Sequence, residues 1–145
     1  VTTISASIDV DAPADRVWAV LTDWTGQGSW MPLTRVEVQS GDGGSGTRMV
    51  ARSGIGRLAL VDPMVVDVWD PPRRCEVRHL GRVVTGRGVF LVEEVSGDRS
   101  RVTWQEQLES RGIRRLVDAV AVAPTAAMLR VALRRLRRAV QSPPR

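Results

Sequence analysis

Two titratable side chains at alternating strand positions are the best candidates for chemistry in this sequence: His79, the sole histidine, and Glu106. Imidazole titrates near neutrality, and a carboxyl withdrawn from water keeps its proton to higher pH. Facing one interior, the two could polarise a bound molecule or pass a proton. Each has a plainer reading: His79 can be a structural hydrogen-bonding residue or stand exposed, and Glu106 can miss the interior. One histidine and one cysteine, Cys75, are too few for a zinc set, and the carboxylates show no ligand motif, so no metal is expected. Asp67, Asp70 and Asp118 read as an outward strand position, a turn and a helix surface. There is no nucleophile elbow, dinucleotide fingerprint or recognisable pair of glycosidase carboxylates. The glycines of residues 41–46 lack the lysine and following helix of a P-loop and read as a surface turn, so no cofactor is expected.

Bringing residues 79 and 106 together requires a sheet. Residues 2–11 alternate Ile4, Ala6, Ile8 and Val10 against polar neighbours, a strand with one buried face. Pro13 opens a short helix with Val17, Trp18, Val20, Leu21 and Trp24 on its apolar side, ending near Asp23. A loop or single helical turn over residues 25–32 leads to about six strands separated by short turns, which imply antiparallel neighbours. Pro63 cannot donate a ladder bond and is expected to mark a bulge or an edge. Strict alternation predicts an inward set of Met49, Met64, Val66, Val68, Val77, His79, Phe90 and Trp104, with Glu106 in the same register and Trp24 or Trp30 near an entrance. Gly86 and Gly88 omit side-chain volume beside Phe90, which suits either a cavity or sheet curvature. An apolar wall with a few polar groups is what a small-molecule pocket needs, although the same residues can simply fill one another's space. Arg48, Arg52, Arg78 and Arg87 are expected on the outer face, hydrated at their heads and covering apolar neighbours with their stems.

From Arg111 to about Gln141 runs the one long helical pattern, roughly 40 Å at 1.5 Å per residue. It carries two stripes. Ile113, Leu116, Val117, Val120, Pro124, Ala127 and Val131 form one; Val122, Ala126, Leu129, Leu133, Leu136 and Val140 form the other. The dominant stripe changes at Pro124, so a kink or short break is expected there. The first half, Leu116 and Val120 included, is expected to close the interior opposite Phe90 and Trp104, and the second half to lie on the sheet.

The 145 residues suit a single domain over residues 1–145 with a core that needs neither disulfide nor metal. The lone cysteine fits a reducing compartment. No stretch is long and charge-free enough to span a bilayer, and the amino terminus lacks a signal-peptide pattern, so a cytoplasmic protein is the default. A net charge of +5 and a pI near 11.2 hint at nucleic acid. All the basic residues are arginine, however, and the one dense cluster, Arg130, Arg134, Arg135, Arg137 and Arg138, lies on the last helix with no nucleic-acid motif beside it. It reads as a solvated helix face near the negative end of the helix dipole, or as a surface for an anionic or protein partner.

The run Ala12-Pro13-Ala14-Asp15-Arg16-Val17-Trp18-Ala19-Val20-Leu21-Thr22-Asp23-Trp24, with Trp30-Met31-Pro32 after it, resembles the opening signature of the START-like, Bet v 1-like superfamily. Within it the chain is similar to the bacterial polyketide cyclase/dehydrase and lipid-transport (SRPBCC) branch. Gly46-Thr47, Val66-Asp67-Val68-Trp69-Asp70-Pro71-Pro72-Arg73-Arg74 and Ser100-Arg101-Val102-Thr103-Trp104 agree, so the resemblance covers nearly the whole chain. It implies an α+β helix-grip fold, a curved antiparallel sheet around a long C-terminal helix with an internal apolar cavity for lipids, polyketides or similar molecules. Cyclases of the superfamily are thought to act through polar cavity residues. This chain has no tyrosine, which removes one usual phenolic donor. The expectation is an apolar small-molecule binding or transport domain. A cyclase using His79 and Glu106, or a protein-interaction module using the basic helix, are the alternatives.

Overall fold

Alternating apolar and polar residues broken by short turns produce seven strands, all paired antiparallel. The computed structural model describes residues 2–82, 84–109 and 114–142, without the side chains of residues 114–119 and 121. Strands β1 (Thr2–Val10), β2 (Thr34–Ser40), β3 (Arg48–Ser53), β4 (Leu60–Asp70), β5 (Arg74–His79), β6 (Gly86–Ser96) and β7 (Arg99–Leu108) form one sheet ordered β1-β7-β6-β5-β4-β3-β2. Helix α1 (Ala14–Leu21) and a 3₁₀ segment (Trp24–Ser29) carry the chain from one sheet edge to the other. It then returns strand by strand until β7 pairs with β1, from Thr2 opposite Leu108 to Val10 opposite Ser100. Helix α2 (Arg114–Gln141) closes the inner face against β1, β7 and α1. This is the expected helix-grip α+β fold.

The core is where the inner face of the sheet meets one stripe of α2. Ile4, Val66, Cys75, Val77, Phe90, Val92, Val102 and Trp104 pack with Leu129, Leu133, Leu136 and Val140, and α1 adds Val17, Trp18 and Leu21. The seam at the carboxyl end of α2 is tied by polar bonds: Gln141 Oε1 accepts from the Asp11 amide at 2.9 Å, and Arg16 donates to the Ser142 carbonyl at 3.0 Å.

Two expectations about α2 change. The helix is assigned without interruption through Pro124, so there is no break at that residue. Of the two stripes, the one containing Val122, Ala126, Leu129, Leu133, Leu136 and Val140 faces the core, while Pro124, Ala127 and Val131 are exposed. A continuous helix can present only one face to the sheet, and the fully buried Leu129, Leu133, Leu136 and Val140 set which.

The irregularity in β4 also differs from expectation. Pro63 stands opposite Val50 within the ladder, in a strand flanked on both sides. Its carbonyl accepts from Leu80 just past the end of β5, at 2.8 Å. A strand residue's N–H and C=O point to the same side, so what proline omits is the reciprocal bond to Leu80 at the very end of the β4–β5 pairing, and the bonds to β3 are untouched. The bulge falls between Val66 and Val68 instead. Val66 opposes Val77 on the inner face, but after the extra residue Val68 opposes the outward Glu76. Val68 therefore leaves the expected inward set, and Trp69, opposite Cys75, replaces it by packing 5.2 Å from Trp18 and 6.3 Å from Trp24.

The outward residues form an ion ladder. Asp67, outward as expected, accepts from Arg78 at 3.0 Å and pairs with Arg87 at 2.9 Å, while Glu76 pairs with Arg74 at 2.7 Å. The hydrogen bond from Arg78, with both guanidinium charges nearby, holds the Asp67 carboxyl below its ordinary range. Arg48 and Arg78 flank the buried Val65 on this face, as expected for stems that cover apolar neighbours.

Candidate functional site

Residues of β4, β5 and β7 build a buried polar network at one end of the inner face, reaching across β6. The β4–β5 ladder sets His79 opposite Met64, the β5–β6 ladder sets it opposite Gly86, and the β6–β7 ladder sets Glu106 opposite Gly88. Neither glycine extends a side chain into the space between His79 and Glu106. A Cβ on Gly88 would stand 3.1 Å from Glu106 Oε1, so its absence is what lets the carboxylate lie flat over β6.

His79 is held from both sides. Its Nδ1 lies 2.9 and 3.0 Å from the two Asp62 oxygens, and its Nε2 lies 3.2 Å from Glu106 Oε2. Trp104 Nε1 donates to the other oxygen, Glu106 Oε1, at 2.9 Å. The histidine side chain is 6% exposed and each carboxylate 14%. Only the doubly protonated ring can donate in both directions at once. Burial by itself works against the cation, but the hydrogen bonds that the ring donates to Asp62 and Glu106, together with their charges, outweigh it and raise His79 to about 10. An imidazolium that keeps its proton far above neutrality, with both N–H groups occupied, is not a general base at pH 7. The network instead offers two carboxylates around one fixed cation, with lone pairs left over to accept from a third group.

The residues expected inward divide as follows. Met49, Val66, Val77, Phe90 and Trp104 are buried on the inner face and Met64 is half-buried there; Phe90 lies 5.2 Å from Trp104. Trp24 and Trp30 are not at a rim. Trp24 is buried against Trp69, and its Nε1 donates to the Gly43 carbonyl in the β2–β3 hairpin at 2.8 Å. Trp30 is fully buried, edge-on to Trp104 at 6.0 Å, and its Nε1 is a buried donor without an acceptor among the described residues. Val120, expected to close the interior, is 79% exposed on the face of α2 turned away from the core. The side chains of Leu116 and Val117, and Ile113 altogether, lie outside the described residues.

Asp62 is the member of the network that the sequence reading missed. The signal was present: Asp62, Met64 and Val66 share one alternation, so the argument that turned Met64 inward turns Asp62 inward too. Proximity to the prolines and the irregular start of β4 hid it.

Two clefts formed by described residues lie elsewhere. One of about 610 Å³ is lined by Asp9, Arg99, Arg101, Arg137 and Gln141, and one of about 440 Å³ by Leu33, Arg35, Arg52 and the backbone of Gly54 and Gly56. Neither includes a residue of the network. Because His79 is the sole histidine, its ring gives a single imidazole resonance. Gly88→Ala is expected to displace the Glu106 carboxylate, lower the His79 pKa and cost about 2 kcal/mol of stability, that of one charge-assisted hydrogen bond. An NMR titration with a parallel urea melt checks both.

A seven-stranded antiparallel sheet gripping a long helix defines the helix-grip class of folds. The chain belongs to the polyketide cyclase/dehydrase and lipid transport family, whose model matches residues 1–141. It is similar in fold to the Zhui aromatase/cyclase from a Streptomyces species, at 22% identity and a TM-score of 0.73, covering 97% of this chain and 96% of that one. The di-domain aromatase/cyclase BexL matches at 16% identity and a TM-score of 0.76, over 98% of this chain and 48% of that protein. The Aha1 dimer from Colwellia psychrerythraea matches at 15% identity and a TM-score of 0.70, over 97% of each chain. At these identities the likeness concerns the fold. A search of curated proteins finds no match. Among the described residues no helix is long and apolar enough to cross a membrane.

Proposed function

We propose that this protein binds or carries an apolar small molecule, lipid- or polyketide-like, between the inner face of the sheet and α2, and that the molecule's polar end is a hydrogen-bond donor. The observation that carries this reading is the buried Asp62–His79–Glu106–Trp104 network. Two carboxylates around one imidazolium leave one net negative charge and unused acceptor lone pairs. A hydroxyl, phenol or amine fits such a site, whereas a fatty-acid carboxylate would add a third negative charge. Phe90, Met49, Met64 and Val77 supply apolar wall around it. The test is titration of the purified protein with matched apolar alcohols and carboxylic acids, after extraction and mass spectrometry of any retained compound. Alcohols are expected to bind at least about tenfold tighter than their acids, and Glu106→Gln to remove most of that preference. Acids bound as tightly as alcohols would sink the reading.

The family and the carboxylate pair also support a second reading, cyclisation or dehydration of a polyketide-like substrate. In that chemistry His79 fixes Asp62 and Glu106 and stabilises negative charge, and a carboxylate rather than the imidazole takes the proton. Turnover of a panel of polyketone substrates, abolished by Glu106→Gln in folded protein, separates catalysis from carriage.

A further inference from the structure

At the end of the sheet where β3 turns into β4, three large apolar side chains project into solvent: Leu33 is 67% exposed, Ile55 72% and Leu58 90%. They form one tip. The Gly54 amide donates to the Leu33 carbonyl at 2.9 Å, and the Leu58 carbonyl packs so closely on Gly54 that a Cβ there would meet it at 2.8 Å. Leu60 and Val61, partly exposed at the start of β4, continue the patch towards the sheet. Leu33 is moreover the sole non-glycine residue among those described with a positive φ, +52°, a left-handed conformation that leucine adopts at a steric cost. A strained backbone that points a leucine at water is not explained by folding.

The charges on the tip itself are basic, and the nearest acidic residues along the chain, Glu37 and Asp62, are paired with Arg35 and His79. Arg52 and Arg57 flank it, neither in an ion pair among the described residues, and Arg35 lines the adjoining cleft. Neither residues 24–36 nor residues 48–61 contain an acidic side chain. We infer that this tip docks the protein on an anionic lipid bilayer, with Leu33, Ile55 and Leu58 entering the headgroup–acyl boundary and Arg52 and Arg57 meeting lipid phosphates. A fluid interface accepts separate projecting side chains, whereas a folded partner would need a pocket for each. A symmetric contact between two copies would set the same unpaired arginines against one another. The tip adjoins the proposed ligand site, Asp62 following Val61 directly, but the inference does not depend on that site's occupant.

Flotation of the full chain with phosphatidylcholine vesicles, with and without about 30 per cent phosphatidylglycerol, tests it. Binding is expected only with the anionic lipid and is expected to weaken as salt rises. Ile55→Ser combined with Leu58→Ser should reduce the partition coefficient at least about tenfold, and Arg52→Gln combined with Arg57→Gln about fivefold or more. Leu33→Gly should relieve the left-handed residue, keep or raise the melting temperature and still weaken binding, an outcome that a purely structural role for Leu33 cannot produce. Arg134→Gln with Arg138→Gln, on the basic helix, should leave binding unchanged. The proposal is overturned if the wild type does not float with anionic vesicles. It is equally overturned if only the helix substitutions abolish flotation, or if sedimentation shows a dimer that Leu58→Ser dissociates.

Discussion

Replacing His79 by glutamine is expected to lower the free energy of unfolding by about 3 kcal/mol near pH 6, with the difference shrinking steadily as the pH is raised towards 10. Removing one partner of a buried ion pair leaves the other uncompensated, and here two carboxylates, each 14% exposed, lose their shared cation. The direction with pH follows from linkage. His79 is raised from 6.5 to about 10 in the folded protein, so its stabilising contribution is complete below the unfolded value of 6.5. It declines between 6.5 and 10, where the unfolded ring has released its proton and the folded ring still holds one, and is lost once the folded ring titrates near 10. Urea melts of both proteins at several pH values measure the gap. A gap that stays constant from pH 6 to 10 would show that folding leaves the ring's pKa at its ordinary value and would return it to the list of general bases.

Trp104→Ala should be the most damaging single core substitution at the site, costing about 4 kcal/mol, while Trp104→Phe should cost about half as much. The indole packs against Phe90 at 5.2 Å and Trp30 at 6.0 Å, and its N–H satisfies one oxygen of Glu106. Alanine removes the contacts and the donor together; phenylalanine keeps one ring's share of the contacts and removes the donor. Denaturation followed by circular dichroism gives both values, and the phenylalanine variant should also show a lower His79 pKa, because Glu106 is then free to move. A Trp104→Ala variant as stable as wild type would mean that the residue lines open space instead of packed core.

The sequence by itself determined which residues alternate, and so the strands, their antiparallel order and the burial of Met49, Val66, Val77, Phe90 and Trp104. Period-two geometry leaves little freedom once one face of a sheet must be dry. It also marked His79 and Glu106, because a charged residue in an apolar register is visible without a fold. Tertiary structure decided the rest. Distance between strands is not written in the alternation, so the 2.9 Å contact between Asp62 and His79, 17 residues apart, and the resulting cationic ring emerge only from register. One inserted residue at Asp67 sent Val68 outward and Trp69 inward, and no local pattern announces a bulge whose origin is the pairing with β5. The two stripes of α2 are equally apolar on paper; contact with β1 and β7 chose the one through Leu129 and Leu133 and left Val120 in water. A helix carries its candidate faces in its sequence, and the surface it meets selects among them.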